Sequence, residues 1–148
     1  MCIRDRDKQA LRLGTLIEEN TLAGIGAAGS NNLYASMGYF ANIETSEAKA
    51  FGKRYADEFG ADAAALNGLG QSTYDGLMLL AALANAAGSM DVSKINAVSD
   101  GTTFSSPRGS ATLSGNHVAQ TVYLADGKGG SFSVVETFEN VPHGVDCK

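Results

Sequence analysis

The sequence predicts an α/β fold, and three observations support that class. Two apolar runs, residues 11–17 and 33–40, have the length of buried strands. A helical segment led by two carboxylates, Glu18 and Glu19, lies between them. A strand–helix–strand order favours a parallel sheet. After residue 102 the apolar period changes to two, which predicts strands and a terminal β-hairpin.

The first helix is expected to be short or frayed. Its apolar stretch, residues 22–28, is interrupted by Gly24 and Gly26. Each interior glycine costs about 0.5 to 1 kcal/mol relative to alanine. A turn is predicted at residues 30–32, before the second strand.

Three more helices are predicted in the middle of the chain. Thr45 is a good N-cap for the first of them. After a loop at residues 67–70, Ser72 and Asp75 are expected to cap a long helix, and Asp91 a shorter one. The buried stripe of the long helix is predicted to be Leu77, Leu80, Ala84 and Ala87.

The last third of the chain alternates strands and turns. A Pro-Arg-Gly bend at residues 107–109 enters a short strand, and residues 118–124 alternate as a second strand. A glycine-rich turn at 126–130 then leads into a last strand at 132–138. Residues 139–148 are predicted to be a loose tail.

The composition is globular and excludes several classes. Of the 148 residues, 44% are hydrophobic and 18% charged, with a formal net charge of -5. Nucleic acid is not expected as a partner, because phosphate binding needs a basic stripe. No apolar run reaches membrane-spanning length. The spacing of Cys2, His117, His143 and Cys147 fits no metal site.

Residues 1–6, MCIRDR, fit nothing that follows them. They look like translated adaptor sequence and are set aside from fold reasoning, the alternative being a natural polar arm. Under this interpretation Cys2 is not native and the chain is a C-terminal fragment from which a signal peptide is absent. Cys147 either pairs with an upstream cysteine in an exported protein or is a free thiol.

Neither a catalytic set nor a strong cofactor motif is present. The sequence has no G-x-S-x-G elbow, P-loop or H-E-x-x-H. G-I-G-A-A-G, residues 24–29, matches the dinucleotide fingerprint, with Glu44 near the distance of its acidic residue. That fingerprint should join a strand directly to a helix, whereas these glycines are expected mid-helix. A nucleotide-binding α/β enzyme stays open as an alternative.

Polar and aromatic residues at the strand ends are the first candidates for binding. Glu18 and Glu19 follow the carboxyl end of a predicted strand, where ligands bind in open α/β sheets. Tyr39 and Phe40 end the next strand. The structural alternatives are helix capping for the glutamates and core packing for the aromatics.

Five motifs follow one another along the chain: Y-F-A-N-I-E-T at 39–45, Q-S-T-Y-D at 71–75, F-S-S-P-R-G-S-A at 104–111, N-H at 116–117 and the hairpin at 126–135. Their order resembles the C-terminal half of type I periplasmic solute-binding proteins, closest to the urea, short-chain amide and branched-chain amino-acid branch. The resemblance covers nearly all of residues 11–138 and implies a two-lobed parallel-sheet fold with a terminal β-hairpin. Ile17 and the two glutamates depart from the small hydroxyl residues that are common in the family after the first predicted strand.

The resemblance implies a division of the chain between two lobes. Residues 7–38 would finish lobe two, and residues 39–104 would be the C-terminal part of lobe one, with Tyr39-Phe40 crossing the hinge. Residues 105–138 would cross again and add the hairpin to lobe two. Residues 139–148 would be a tail.

The function implied by the resemblance is that of a non-enzymatic, extracytoplasmic solute-binding subunit of an ABC importer. Its lobes close on a small polar solute, and permease subunits in the membrane read the closed form. It is expected in the periplasm or lipid-anchored outside the cell, without cofactor or metal. A cytoplasmic amide-type sensor on the same fold is the alternative. The candidate ligand-binding residues are Glu18, Glu19, Tyr39 and Tyr74, with most contacts expected from an upstream half.

Overall fold

The computed structural model describes residues 10–60 and 62–142. Within these ranges the chain forms four α-helices and seven strands, plus a 3-10 turn at Lys128–Gly130. The helices are α1 (Glu19–Gly29), α2 (Ser46–Phe59), α3 (Gly68–Ala87) and α4 (Val92–Ala97). The strands are β1 (Arg12–Gly14), β2 (Leu33–Met37), β3 (Thr103–Ser106), β4 (Gly109–Ser114), β5 (His117–Val118), β6 (Gln120–Asp126) and β7 (Ser133–Val141).

The main sheet has four strands in the order β1-β2-β6-β7. β1 and β2 are parallel, which confirms the predicted strand–helix–strand unit. β6 pairs antiparallel with β2 and with β7, so the hairpin extends this sheet and makes it mixed. Parallel pairing is therefore confined, among the described residues, to its first two strands.

A second group of elements lies beside this sheet. It contains α3, α4 and a small antiparallel sheet in the order β3-β4-β5. α2 joins it through contacts of Phe51 and Arg54 with Tyr74 of α3. α3 packs against both β3 and α4. Two connections join the groups: residues 38–45, between β2 and α2, and Ala119, between β5 and β6.

Local sequence signals placed α2 and α4 correctly. The Thr45 hydroxyl accepts a hydrogen bond from the backbone N–H of Ala48 at 3.2 Å. The Asp91 carboxylate accepts one from the N–H of Lys94 at 3.1 Å. Both side chains satisfy donors that a first helical turn leaves free, so these N-cap predictions are confirmed.

Both predicted N-terminal strands are longer than the observed ones. β1 stops at Gly14 instead of residue 17, and β2 stops at Met37 instead of residue 40. Tyr39 and Phe40 leave the sheet and are almost fully buried, at 2% and 0% exposure. The Phe40 ring lies 4.7 Å from that of Phe132, so apolar burial, rather than strand pairing, holds this segment.

The C-terminal strand corrects the predicted tail. β7 extends through Val141, which pairs with Gln120, instead of ending at residue 138. The tail prediction is therefore wrong for residues 139–141, because β6 supplies hydrogen-bond partners that local composition does not reveal. Residues 143–148, with the rest of that prediction, lie outside the described residues.

The long helix α3 differs most from prediction. Asn67, not Ser72, is its N-cap, and the Asn67 side chain accepts the Gly70 N–H at 2.9 Å. The predicted loop at 67–70 is therefore its first turn. The predicted buried stripe is wrong too, because Leu77 and Leu80 are 63% and 41% exposed. The buried members of the helix are Gly68, Gln71 and Asp75.

The core lies between α1, the main sheet and the returning segment after β2, and it reaches α2. Leu22 contributes from α1, and Ala35 and Ala125 come from the centre of the sheet. Small residues at the sheet centre leave room for the large rings that fold back over it. The buried cluster consists of Leu22, Leu33, Ala35, Tyr39, Phe40, Ile43, Ala48, Phe51, Tyr123, Ala125 and Phe132.

Candidate functional site

Glu18 lies at the boundary between the two groups of elements and is 6% exposed. Its Oε1 accepts a hydrogen bond from the backbone N–H of Leu69 at 3.1 Å. Leu69 is in the first turn of α3, where free N–H groups and the helix dipole favour a carboxylate. Glu18 therefore caps a helix. The sequence position indicated α1, which follows it directly, whereas the capped helix is α3, which begins 50 residues further along.

Glu19, in the first turn of α1, has one carboxylate oxygen paired and one unpaired. Oε1 accepts a hydrogen bond, 2.7 Å long, from the backbone N–H of Ala41, which lies in the connection that follows β2. Oε2 is buried, and no described residue donates a hydrogen bond to it. Burial raises the pKa of Glu19, the bond from Ala41 opposes that rise, and the charge of Glu18 adds to it.

Tyr39 places a second unpaired oxygen in the same region. Its ring meets Phe51 edge to face, with centroids 6.5 Å apart. Its hydroxyl is buried without a hydrogen-bond partner among the described residues. Burial raises the pKa of Tyr39 to about 12, and the negative charge of Glu19 contributes. Glu19 and Tyr39 thus form an electrostatically coupled pair, called here the 19/39 pair.

A cavity of about 420 Å³ opens beside Glu19. Ala41 and Asn42 line it from the connection, and Phe132 and Ser133 line it from the start of β7. Its size is within the range of small-molecule sites, and its wall mixes apolar and polar groups as such sites do. Glu19 is the only ionisable side chain in this lining among the described residues.

Tyr74 lies apart from the 19/39 pair. Its ring packs 4.7 Å from Phe51, on which Tyr39 also packs. Its hydroxyl accepts a hydrogen bond from Arg54 at 3.2 Å, and the Arg54 guanidinium carbon lies 5.8 Å from the ring centroid. Tyr74 lines a different cavity, of about 550 Å³, between α2 and α3. Of the four candidates, the structure brings Glu18, Glu19 and Tyr39 together and separates Tyr74.

A buried ion pair is the polar feature that sequence reasoning missed. Asp75 Oδ2 lies 3.1 Å from Arg108 Nη2, and the two side chains are 8% and 12% exposed. Ser106 donates a hydrogen bond to the same carboxylate oxygen at 2.8 Å. The available signal was that Asp75 is the single charged residue of α3, which the sequence analysis interpreted as part of an N-terminal cap.

Two other kinds of site are not supported. The G-I-G-A-A-G motif at residues 24–29 lies in the second half of α1, whereas the dinucleotide fingerprint requires its glycines where a strand leads into a helix. Residues 10–60 and 62–142 contain no cluster of three or more His, Cys, Asp or Glu side chains that could hold a metal. No helix in these ranges is long and apolar enough to cross a membrane.

Comparison with solved structures finds the same fold. A solute-binding protein of an ABC transporter from Rhodopseudomonas palustris BisB5, in complex with 3,4-dihydroxybenzoic acid, matches with a TM-score of 0.75 and 22% identity, over 94% of this chain and 40% of that one. One from strain HaA2, in complex with p-hydroxybenzoic acid, also gives 0.75, with 25% identity over 90% and 38%. A leucine-binding protein from Thermotoga maritima gives 0.67, with 21% identity over 82% and 34%.

The chain therefore spans well under half the length of these structures. No curated protein matches the sequence at a significant level. The family model described as periplasmic binding protein matches residues 5–131, most of the chain. The matched relatives are solute-binding proteins rather than enzymes. This chain belongs to the periplasmic binding protein family and has the type I fold of ABC-transporter solute-binding proteins.

Proposed function

We propose that this chain is part of the extracytoplasmic solute-binding subunit of an ABC importer, located in the periplasm or lipid-anchored, and that it hands its solute to permease subunits in the membrane. Family membership and likeness to transporter subunits support this. Two groups of elements joined by two short connections are an arrangement that can close on a solute.

The proposed lobe division differs from the two groups at β4 and β5, which lie in the second group although their residues belong to the stretch assigned to lobe two. Residues 7–38 and 105–138 contribute to lobe two, and residues 39–104 contribute to lobe one. The pairing of β6 with β2 supports the return of the chain to the first sheet. The chain returns to the main sheet at Ala119, after the short sheet β3-β4-β5 that packs on α3.

The proposed solute is small, polar and rich in N–H donors: a branched-chain amino acid, an amide or urea. The observation that carries this choice is the 19/39 pair, which holds a buried carboxylate oxygen and a buried hydroxyl without protein partners among the described residues. Unmet buried acceptors cost about 1 to 3 kcal/mol each, and an N–H donor would remove that cost. A benzoate, by contrast, has no N–H donor to offer these two oxygens.

Calorimetric titration tests the proposal. The chain is produced together with any coding sequence that precedes it at its locus, and is titrated with leucine, acetamide, urea and 4-hydroxybenzoate. We expect heat from one of the first three and weaker binding after Glu19→Gln. Lys53→Gln, which breaks an exposed ion pair within α2, is the matched control. Binding of none of these solutes would reject the proposed function, and a signal peptide encoded upstream would exclude the cytoplasmic sensor.

A further inference from the structure

The Arg108 side chain contacts one connection between the two groups of elements and the residue that directly follows the other. Its Nη1 donates a hydrogen bond to the Gln120 side-chain oxygen at 2.6 Å, directly after Ala119. The same nitrogen lies 3.4 Å from the carbonyl oxygen of Gly38, where the other connection begins. One guanidinium group thus holds two chain segments that are 82 residues apart in sequence.

The opposite edge of the guanidinium is anchored in the group that contains α3. Nη2 pairs with Asp75 on α3 at 3.1 Å, and the pair is mostly buried. The backbone N–H of Arg108 donates to Ser106 Oγ at 3.0 Å, and Ser106 itself donates to Asp75. The tight turn between β3 and β4 is thereby fixed against α3, and the direction of the guanidinium is fixed with it.

The packing around Gly38 shows how closely the guanidinium approaches the first connection. A Cβ added at position 38 would collide with the Arg108 Nη1 atom. Gly38 is not in a left-handed conformation, so its backbone does not itself require glycine. The missing side chain instead provides the space through which the guanidinium reaches the first connection.

We infer that Arg108 is the positioning residue of a hinge: it pins both connections to α3 and thereby sets the relative orientation of the two groups. This role rests on the proposed function in one respect: if the two groups close around a solute, they would rotate about the contacts of Arg108. Arginine suits the task because its planar fork offers five donors in fixed directions. Lysine could keep the charge next to Asp75 but could not reach three partners in one geometry.

Spin-label distances measured without solute test this inference. The full chain, produced as for calorimetry together with any preceding coding sequence, carries Cys2→Ser and Cys147→Ser and bears spin labels at Lys94→Cys, on α4, and at Lys128→Cys, after β6. We expect one narrow distance distribution for this parent protein. Arg108→Lys and Gln120→Ala should each broaden it and shift its mean. Lys53→Gln, which breaks an exposed pair within α2, should leave it unchanged.

Gln120→Ala keeps the test decisive if Arg108→Lys fails to fold, because Gln120 is exposed and the Asp75–Arg108 pair stays intact. Circular dichroism checks the fold of each variant. Distributions that superimpose on that of the parent for every folded variant overturn the inference. The distances are measured without solute, so the two proposals can fail separately. If the two variants broaden the distance distribution but the protein binds none of the tested solutes, the hinge inference stands and only the proposed function is rejected.

Discussion

At the scale of single residues, the 19/39 pair combines burial with incomplete hydrogen bonding. Tyr39 is 2% exposed, yet none of the described residues bonds its hydroxyl. A protein retains such groups at a cost in stability, and this is common where a ligand is later bound. The two roles can be separated by substitution, because packing depends on the ring and solute binding on the oxygen.

Tyr39→Phe should weaken solute binding without reducing stability. The ring and its edge-on contact with Phe51 remain, while the unpaired hydroxyl is removed. A lost hydrogen bond of about 1 kcal/mol corresponds to a roughly fivefold weaker affinity. Calorimetry and urea unfolding measure the two effects. Tyr34→Phe, on a half-buried tyrosine in β2, is the control, and an unchanged affinity for Tyr39→Phe would remove Tyr39 from the site.

The raised pKa of Glu19 makes stability depend on pH. Burial keeps the folded carboxyl protonated to a higher pH than its ordinary value of 4.5. The favourable contribution of this group is therefore complete below that value and is lost as pH rises through the folded pKa. Glu19→Gln should remove this loss, which urea unfolding between pH 4.5 and neutrality would show.

Glu47 provides a matched control for that pH dependence. It is exposed, and a hydrogen bond from Ser46 lowers its pKa. Glu47→Gln should consequently not flatten the fall in stability above pH 4.5. If Glu19→Gln and the parent lose stability in parallel, burial of Glu19 is not the cause.

At the scale of elements, α3 shows how a helix can begin earlier than its strongest local signal. Ser72 and Asp75 have the spacing of a capping box, but Asn67 and the distant Glu18 satisfy the first-turn donors. Asp75 is then free to face inward and pair with Arg108. The polar side of the first half of the helix is buried as a result, and Leu77 faces outward.

Asn67→Ala should destabilise the chain by about 1 kcal/mol, the usual cost of losing an N-cap side chain. Ser72→Ala is the control, because Ser72 is exposed inside the helix and alanine is a better helix former; its effect should stay within about 0.5 kcal/mol. Chemical denaturation measures both. A larger loss for Ser72→Ala than for Asn67→Ala would restore the start predicted from the sequence.

At the scale of the whole molecule, large apolar side chains remain on the surface of both groups. Leu11, Leu13 and Leu16, in and around β1, are 66% to 81% exposed. On α3, Leu77 is 63% exposed. Exposed apolar patches larger than a few hundred Å² are rare on soluble monomers, and several exposed leucines close in sequence favour association. The 148-residue chain by itself should therefore be prone to aggregate.

We expect this chain to scatter light increasingly with concentration and to bind the dye ANS. Leu77→Gln combined with Leu80→Gln should reduce both signals, since these leucines lie on one exposed side of α3. Ala86→Gln, at an exposed position on the same helix, is the control for added polarity. A monodisperse chain that binds no dye would contradict the expectation.

Much of the local structure was predictable from the sequence. Thr45 and Asp91 mark helix starts because capping uses atoms within three residues. The period-two pattern after residue 102 predicts the hairpin for the same local reason. Ordered motifs identified the type I fold, which the family and structural comparisons confirm. The solute, the lobe boundaries and the roles of the four candidate residues stay predictions.

The sequence by itself determined the family and the order of the four helices and five of the strands, because periodicity, caps and turns act over a few residues; β3 and β5 were not predicted. Only the tertiary structure decided which side of α3 is buried, since that depends on Arg108, 33 residues beyond Asp75. It also decided that Glu18 caps α3 and that Tyr39 turns into the core. These outcomes depend on hydrogen bonds and ring contacts between segments that are distant in the chain. Local sequence patterns do not indicate which distant residues become partners.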